Sequence, residues 1–311
     1  MSGKTTERTY RGETLGKLYA DVKAKKNDIV GCLAGDLGRP AKECAFIYSS
    51  MIEKPVRIAA KKDWTKWRWL APILPDIITT GRIYRKPLGL VLIEADPREP
   101  FLFVFPRFLA SLMAGNPTVL SFSGRQTKTG TLLTDIANAA IPAEFGMIVQ
   151  EGGEIPMEEP DYVCAEEYPG RVCAVFDGTA DYDKGAEKLV CAWRRMEGLN
   201  GVKPEVIYCP ASMRTALVKQ IDKWARRSPD DPEGRKMRVV GVRGDEELAD
   251  KLEAEGEMFA LYMFSEEDTY ALRIALDRPS KYASVNSVTL RAPSMKAYFN
   301  ESVTSKTIMM R

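Results

Sequence analysis

Histidine is absent from this chain of 311 residues. Its absence removes the commonest general base, and with it the serine–histidine and cysteine–histidine pairs that activate many nucleophiles. It also removes the ligand on which most transition-metal sites depend. The sequence therefore predicts no metal site, and acid–base chemistry would have to come from carboxylates, arginine or tyrosine.

The six cysteines are scattered, and no C-x-x-C pair occurs among them. This spacing is typical of buried, reduced thiols in a cytosolic protein. The polar segment 1–14 has no apolar core of a secretory signal, and no apolar run reaches membrane-spanning length. A net charge of +2 gives no bulk attraction to nucleic acid or to a membrane. We therefore expect a cytoplasmic protein with neither of those partners.

The most informative stretch lies between residues 84 and 124. Residues 88–95 form a short, nearly all-apolar run, which predicts a strand buried on both faces. Prolines 97 and 100 interrupt the chain, and the segment Phe101–Ala114 is apolar almost all round, as in a buried helix. After a Gly-Asn-Pro stop, Thr118–Phe122 predicts a second strand. Strand, buried helix and strand make one βαβ unit, which indicates a parallel sheet.

Strands and helices alternate through the rest of the chain, which is typical of α/β proteins. Upstream, helices are predicted over residues 15–33, ending near Gly38, and 41–61. Downstream, the predicted strands are 147–150, 172–176, 205–209, 237–242, 259–264 and 283–290, and the predicted helices are 127–139, 184–196, 212–226, 245–255 and 266–276. Strand 172–176 is expected to continue the central parallel unit.

Several motifs of the chain resemble the aldehyde dehydrogenases. Pro87-Leu88-Gly89, Pro100, Ala114-Gly115-Asn116 and Val119-Leu120 follow the order of a P-x-G strand, W-N-x-P, A-G-N and a V-V-L strand in that family's nucleotide-binding half. Residues 201–209 are similar to C-V-A-P-D-Y-I-L-C, which opens the family's catalytic domain, and residues 259–265 are similar to L-A-L-Y-V-F-S.

The resemblance implies an aldehyde-dehydrogenase-like α/β fold, with a Rossmann-like parallel sheet and a smaller, truncated catalytic-type domain. It places a degenerate nucleotide-binding-type domain with N-terminal helices at 1–200, the truncated domain at 201–290 and a C-terminal oligomerisation strand at 291–311. In the family such a strand adds to a partner subunit's sheet, so a homodimer is expected.

The residues that carry the family's chemistry are replaced. On this resemblance the cysteine nucleophile falls on Gly201, the oxyanion-stabilising asparagine on Arg98, and the lysine and glutamate of K-P-S-E on Ser121 and Gly124. The second glycine of G-S-T-x-V-G, where a helix approaches the cofactor pyrophosphate, falls on Asp183, whose charge would repel that group. The E-L-G-G-K segment with the general base has no counterpart. We therefore expect no cofactor.

Charged residues stand at the places where two predicted strands end. Asp96, Arg98 and Glu99 follow the first strand of the central unit, and Asp177 follows the strand 172–176. Ligands of open α/β sheets bind outside the carboxyl ends of the strands, so these four residues are the predicted catalytic groups. The alternative is a solvated loop in which an aspartate caps a helix.

Aromatic residues provide the predicted substrate-binding surface. Three of the five tryptophans lie in the segment 63–70. They would either pack against the sheet or form a wall on which a ligand stacks. Trp64, Trp67, Trp193 and Phe122 are the predicted contacts to a small-molecule metabolite.

Three functions fit the sequence. The first is a cofactor-free isomerisation, cyclisation or dehydration of a small apolar metabolite by a relative that has lost aldehyde oxidation. The second is a non-catalytic pseudoenzyme that acts as a binding or scaffold subunit. The third is an NAD(P)-dependent aldehyde dehydrogenase with a rebuilt site. Fold alone does not rank them.

Overall fold

The computed structural model describes residues 3–38, 40–65, 68–70, 80–95, 99, 101–123, 127–150, 153, 159–165, 170–196, 204–226, 237–288 and 294–310. The chain divides into two compact units. Unit 1 comprises Met1–Glu166 and Ala292–Arg311, and unit 2 comprises Glu167–Arg291. Among the described helices, none combines the length and apolar character needed to cross a membrane.

Unit 1 begins with α1 (Gly3–Ala24), α2 (Lys26–Leu37), α3 (Ala41–Ile47) and α4 (Lys54–Lys61), and a π-helical turn (Tyr48–Glu53) joins the last two. The predicted helix over 15–33 is split at Lys25, where ψ of 18° departs from helical geometry. Gly38 ends α2 in the left-handed conformation with φ of 58°, as predicted. The apolar faces of α1 and α2 meet in the core through Leu18, Ile29 and Leu33, which are fully buried.

The central elements of unit 1 are β1 (Arg68–Leu70), β2 (Thr80–Pro87), β3 (Val91–Ala95), α5 (Phe101–Ala114), β4 (Thr118–Phe122), α6 (Lys128–Ala140), β5 (Gly146–Gln150) and β6 (Tyr162–Ala165). Strands β3 to β6 form a parallel sheet in the order β5-β4-β3-β6. Every residue of α5 is buried, including Arg107. The predicted βαβ unit is therefore confirmed.

Unit 2 is a second parallel α/β layer. Its elements are β7 (Val172–Phe176), α7 (Tyr182–Met196), β8 (Val206–Pro210), α8 (Arg214–Arg226), β9 (Arg238–Val242), α9 (Asp245–Glu255), β10 (Met258–Phe264), α10 (Asp268–Asp277) and β11 (Ser280–Val285). The strand order is β11-β10-β7-β8-β9. All seven residues of β10 are buried, which explains its continuous apolar sequence.

The chain then returns to unit 1 through α11 (Met295–Glu301) and β12 (Val303–Met310). β12 pairs antiparallel with β2 of its own chain, from Val303 opposite Pro87 to Met310 opposite Thr80. With β1 the two strands form a three-stranded sheet in the order β1-β2-β12. A strand forms in the predicted C-terminal segment and pairs within its own chain, and its part in oligomerisation stays a prediction.

The sheets also correct the predicted placement of residues 172–176. That strand, β7, pairs with β8 and β10 in unit 2, so it does not continue the central unit. β3 has β4 on one side, and the strand on its other side is β6, which was not predicted. The two units therefore divide at residue 166, earlier than the predicted boundary at residue 200.

Candidate functional site

Two of the predicted groups of unit 1, Glu99 and Phe122, lie at the carboxyl edge of its sheet. Asp96, Arg98 and Trp67 lie outside the described residues. Glu99 is buried just before α5. Phe122, the last residue of β4, is also buried, and its ring meets that of Phe101 edge to face at 5.3 Å. The structure therefore places Glu99 and Phe122 in the packed core beside α5.

Trp64 is the residue of the predicted aromatic wall whose contacts the structure describes. Its ring meets Phe299 of α11 edge to face, with 5.4 Å between centroids. Its carbonyl oxygen accepts a hydrogen bond from the Arg85 guanidinium at 2.8 Å. These contacts are those of a packing residue of unit 1. Trp193 lies on α7 of unit 2, and its side chain lies outside the description.

Asp177 follows β7 at the carboxyl edge of the sheet in unit 2. Its Oδ1 accepts hydrogen bonds from the backbone N–H of Thr179 at 2.8 Å and of Ala180 at 2.9 Å, and from the Thr179 hydroxyl at 2.7 Å. Its Oδ2 accepts one from the buried hydroxyl of Ser265. Both carboxylate oxygens therefore hold the turn after β7 in place.

Sequence reasoning missed the partners of Asp177. Ser265 follows β10, and the side-chain amide of Asn286, after β11, accepts from the Ser265 N–H at 3.1 Å and donates to its carbonyl oxygen at 2.6 Å. Asn286 adopts the left-handed region with φ of 51°, which asparagine tolerates better than most residues. The signal in the sequence was partial, because Ser265 directly follows the apolar strand Met258–Phe264, whereas Asn286 falls inside the predicted strand 283–290.

These residues lie at the point where the strand order reverses. The chain runs from β7 to β8 and β9 on one side, and β10 and β11 lie on the other side of β7. A crevice at such a point is the usual ligand site of an open α/β sheet. Here Asp177, Ser265 and Asn286 bond to one another across it, so these groups act as a structural clamp between β7, β10 and β11.

The buried thiols of unit 2 are poor nucleophiles. The pKa of Cys173 is raised to about 12, mainly by burial of the thiol. The nearby carboxylates of Glu255 and Glu205 add to this effect. Burial also raises the pKa of the Cys209 thiol, against a smaller opposing effect of Arg214. Both groups are protonated at neutral pH, and the thiolate is the reactive form. The side chain of Cys191 lies outside the description.

A small cavity opens at the amino edge of the unit 1 sheet, between β3, α5 and β6. Val91, Ile93, Arg107, Tyr162 and Ser302 contribute to its wall. The space available inside is about 10 Å³, enough for about one water molecule. This cavity is too small for a metabolite, and it lies at the edge opposite to the carboxyl ends of the strands.

Known proteins with related sequences are aldehyde dehydrogenases. The chain is 24% identical over 251 residues to 4,4'-diaponeurosporen-aldehyde dehydrogenase of Staphylococcus aureus, covering 72% of this chain and 55% of that protein. It is 28% identical over 257 residues to aldehyde dehydrogenase family 3 member B3 of Mus musculus, covering 73% of this chain and 53% of that protein. The chain thus spans about half the length of these curated relatives. No protein-family model matches it.

Solved structures agree in fold. A substrate-bound Staphylococcus aureus AldH superposes with a TM-score of 0.70 at 18% identity, over 97% of this chain and 90% of that one. The glyceraldehyde-3-phosphate dehydrogenase GapN of Methanocaldococcus jannaschii, in complex with NADP, gives a TM-score of 0.68 at 15% identity, over 97% and 89%. The fold is that of the aldehyde dehydrogenases. The related sequences are likewise those of aldehyde dehydrogenases, at 24% and 28% identity.

The aldehyde dehydrogenase fold locates the position expected for the nucleophile. Gly201 lies outside the described residues, but the segment that carries it leads into β8, and the N–H of Glu205 donates to the carbonyl oxygen of Val172 at 2.8 Å. This contact is at the amino edge of the sheet. Asp177 is at the carboxyl edge, roughly 17 Å away for a strand of about five residues. Asp177 therefore lies far from the segment that leads into β8.

Asp183 lies in the first turn of the helix that follows β7. It belongs to α7 of unit 2, and its Oδ1 accepts hydrogen bonds from Lys223 Nζ at 2.8 Å and Trp224 Nε1 at 2.9 Å. These two hydrogen bonds hold the pKa of the Asp183 carboxyl below its ordinary value, and the bond from Lys223 has the larger effect. Asp183 is thus held by contacts within unit 2, and its effect on a cofactor stays a prediction.

The connection after β6 bears directly on cofactor binding. In the parallel sheet of unit 1, β6 occupies the position beside β3, and residues 166–171 alone separate it from β7 of unit 2. A helix after such a strand would supply the backbone N–H groups that hold a pyrophosphate. Six residues are too few to form that helix and return to a strand. Two other helices, α5 and α6, begin at this edge, and the amino terminus of α6 already holds the Asp36 carboxylate through the N–H groups of Lys128 and Thr129 at 3.1 and 2.8 Å.

Proposed function

We propose that this protein is an aldehyde dehydrogenase relative that no longer oxidises aldehydes and acts as a non-catalytic binding or scaffold subunit. The length of the connection 166–171 carries the proposal, because six residues between β6 and β7 are too few for a helix that would hold a cofactor pyrophosphate. Oxidation of an aldehyde needs a hydride acceptor, so loss of the cofactor site would remove the family's reaction.

The expected loss of the nucleophile supports the proposal independently. Glycine at position 201 has no side chain to add to an aldehyde carbonyl. The thiols of Cys173 and Cys209 are buried and their pKa values are raised, so neither offers a substitute thiolate.

The contacts of Asp177 favour a binding or scaffold role over cofactor-free isomerisation, cyclisation or dehydration. A general acid or base must reach the substrate with a free oxygen. Both oxygens of Asp177 instead accept hydrogen bonds from the turn after β7 and from Ser265. Glu99, the other described carboxylate of the predicted site, is buried before α5. The metabolite partner and the homodimer stay predictions.

An NAD(P)-dependent aldehyde dehydrogenase with a rebuilt site is the second candidate. It is favoured by the names of the related proteins, which are aldehyde dehydrogenases from bacteria and animals. The contacts of Asp183 also support this second candidate. Its carboxylate accepts hydrogen bonds from Lys223 and Trp224, so it is not available to repel a cofactor.

Thermal unfolding with and without millimolar NAD or NADP separates the two. A ligand that binds the native state at about a hundredfold excess over its Kd stabilises by about 2.7 kcal/mol, which raises Tm by a few degrees. We expect no shift with either nucleotide and no NADH formation with apolar aldehydes. A clear shift together with turnover would establish the dehydrogenase and overturn our proposal. A shift without turnover would keep the loss of oxidation but show that a nucleotide is among the bound ligands.

A further inference from the structure

Three consecutive elements of unit 1 expose one continuous line of side chains. α3, the π-helical turn and α4 follow one another without a break between Ala41 and Lys61. Every residue on this line is exposed, and none of them carries a negative charge. We call this line the basic stripe, and its members are Lys42, Phe46, Ser50, Lys54, Arg57 and Lys61. Along the helix axis the stripe extends over roughly 25–30 Å.

The π-helical turn keeps these side chains in line. In an α-helix each step of four residues turns the side-chain direction by about 40°, so the first four members of the stripe would drift around the helix. This turn is wider, because the N–H of Lys54 donates to the carbonyl oxygen of Ser49, five residues back. Within it the Ser50 hydroxyl donates to the carbonyl oxygen of Phe46 at 2.9 Å. The wider turn offsets the drift and brings both halves of the stripe onto one face.

The charge of the stripe differs from that of the whole chain. The net charge of the 311 residues is +2, but residues 41–61 alone carry four cations and two carboxylates. Of these carboxylates, Glu43 is exposed next to Lys42 and Glu53 is half-buried. Lys26 of α2 adds a fifth cation, because its Nζ lies 5.8 Å from the centroid of the Tyr48 ring in the π-helical turn. Positive charge concentrated on one exposed surface attracts anionic partners, although the average over the chain is small.

An aromatic side chain lies among these cations. Phe46 is 75% exposed, although a phenylalanine side chain gains free energy when it leaves water. Lys42 precedes Phe46 on the stripe and Lys54 follows it. Exposed aromatic rings together with several cations are typical of helices that lie in the plane of a membrane interface. There the ring enters the headgroup layer and the cations meet anionic lipids.

We propose that the basic stripe is a docking surface for a membrane that contains anionic lipids. The contact is peripheral: the stripe lies along the headgroups, the Phe46 ring enters between them, and the four cations of the stripe meet the lipid phosphates and carboxylates. The inference stands apart from the loss of aldehyde oxidation, because it uses no residue of the site discussed above.

The shape and composition of the stripe favour a membrane over other anionic partners. Lipid headgroups are mobile, so they match unevenly spaced cations on the convex surface of a helix. A folded acidic protein would need a groove complementary to that surface. Single-stranded nucleic acid is commonly bound by several aromatic rings on which the bases stack, and the stripe has one aromatic residue.

Vesicle flotation with the full chain tests this surface. Two vesicle compositions are compared, phosphatidylcholine alone and phosphatidylcholine with about 30% phosphatidylserine. We expect the protein to float with the anionic vesicles at about 0.05 M salt and to be released at about 0.5 M, because salt screens the attraction between charges. Failure to float with the anionic vesicles, or equal flotation with both compositions, would overturn the proposal.

Matched double variants locate the contact. The pair Lys54→Ala and Arg57→Ala removes two cations of the stripe, each of which strengthens attachment about fivefold, so the partition coefficient should fall at least about tenfold. The pair Lys219→Ala and Lys251→Ala removes the same charge from exposed positions of α8 and α9 and should bind like the original chain. All four positions are exposed in helices, where alanine is tolerated. Equal losses in the two pairs would identify net charge as the cause and overturn the assignment to the stripe.

Two further measurements separate the membrane from other occupants. Phe46→Ser should weaken flotation with anionic vesicles several-fold at every salt concentration, because burial of the ring is not screened, whereas Phe46→Leu should retain binding. Undiminished binding by Phe46→Ser would overturn the insertion of the ring. A single-stranded RNA oligonucleotide is the competitor. RNA that displaces the protein from anionic vesicles at an equal concentration of phosphate groups would identify nucleic acid as the occupant and overturn the assignment of a membrane.

Discussion

The side-chain amide of Asn116 donates a hydrogen bond from Nδ2 to the carbonyl oxygen of Ser302 at 2.9 Å. Its Oδ1 accepts the N–H of Leu88 at 2.7 Å. Asn116 is 2% exposed. One buried amide thus joins the end of α5, the entry to β3 and the beginning of β12, and explains why an asparagine follows Ala114-Gly115 in this fold.

Replacing Asn116 should destabilise unit 1. Asn116→Ala leaves the Leu88 N–H and the Ser302 carbonyl without this partner, and each buried unsatisfied group costs about 1–3 kcal/mol. We expect the free energy of unfolding to fall by about 2–4 kcal/mol in urea titrations. Asn300→Ala, at an exposed position of α11, is the matched control and should stay within about 0.5 kcal/mol. Equal effects of the two variants would show that the Asn116 bridge contributes little.

Asp177 should behave as a structural residue. Asp177→Ala removes the acceptor of two backbone N–H groups and of the buried Ser265 hydroxyl. The expected loss is about 2 kcal/mol in the free energy of unfolding, measured by chemical denaturation. Asp250→Ala, at an exposed position of α9, serves as control. Full stability of the Asp177 variant would contradict a structural role. It would instead favour the hypothesis that the Asp177 carboxylate acts as a general acid or base.

The ion pair of Asp183 predicts a pH dependence. Hydrogen bonds from Lys223 and Trp224 lower the pKa of this carboxyl from its ordinary value of 3.8. A group with a lowered folded-state pKa stabilises the protein above its unfolded value, and this stabilisation is lost as pH falls through the folded value. The original chain should therefore be more stable than Asp183→Asn at neutral pH. The difference should shrink below about pH 4.

Urea titrations of both proteins at several pH values measure that difference. Lys184→Ala, which removes the neighbouring contact to Asp181, should leave the pH dependence of Asp183 in place. A difference that is the same at every pH would exclude the carboxylate charge as its cause.

Removal of β12 tests the C-terminal strand. Its deletion from residue 303 onward would expose the edge of β2 along its whole length, since the two strands pair from Val303 to Met310. We expect lower Tm and aggregation, because an uncovered edge pairs with other chains. Light scattering of the intact chain tests the predicted homodimer separately. A truncated chain with unchanged Tm would mean that β12 adds nothing to unit 1.

The central fold was readable from the sequence because its signals are local. Phe101–Ala114 is a long apolar segment ended by Gly115, and the structure makes it a helix buried on every side. β6 escaped prediction for the opposite reason. It has four residues and acidic neighbours, and only its pairing with β3 makes it a strand. That single omission shifted the domain boundary.

The candidate site was predicted in part for a similar reason. The end of β7 is visible in the sequence, so Asp177 was placed correctly at a carboxyl edge. Its role depends on Ser265 and Asn286, which follow other strands and join it only through the order β11-β10-β7. Hydrogen bonds between residues so far apart in the chain leave no pattern in a single sequence.

The division of the chain has a consequence for its synthesis. Unit 1 is built from Met1–Glu166 and Ala292–Arg311, with all of unit 2 between them. On the ribosome, unit 2 has all of its residues before β12 exists, whereas β2 waits for its partner strand while residues 88–302, which include all of unit 2, are translated. At about 5–20 residues per second that wait is on the order of ten seconds. During it the nascent chain exposes the edge of β2, so chaperone demand should concentrate on unit 1.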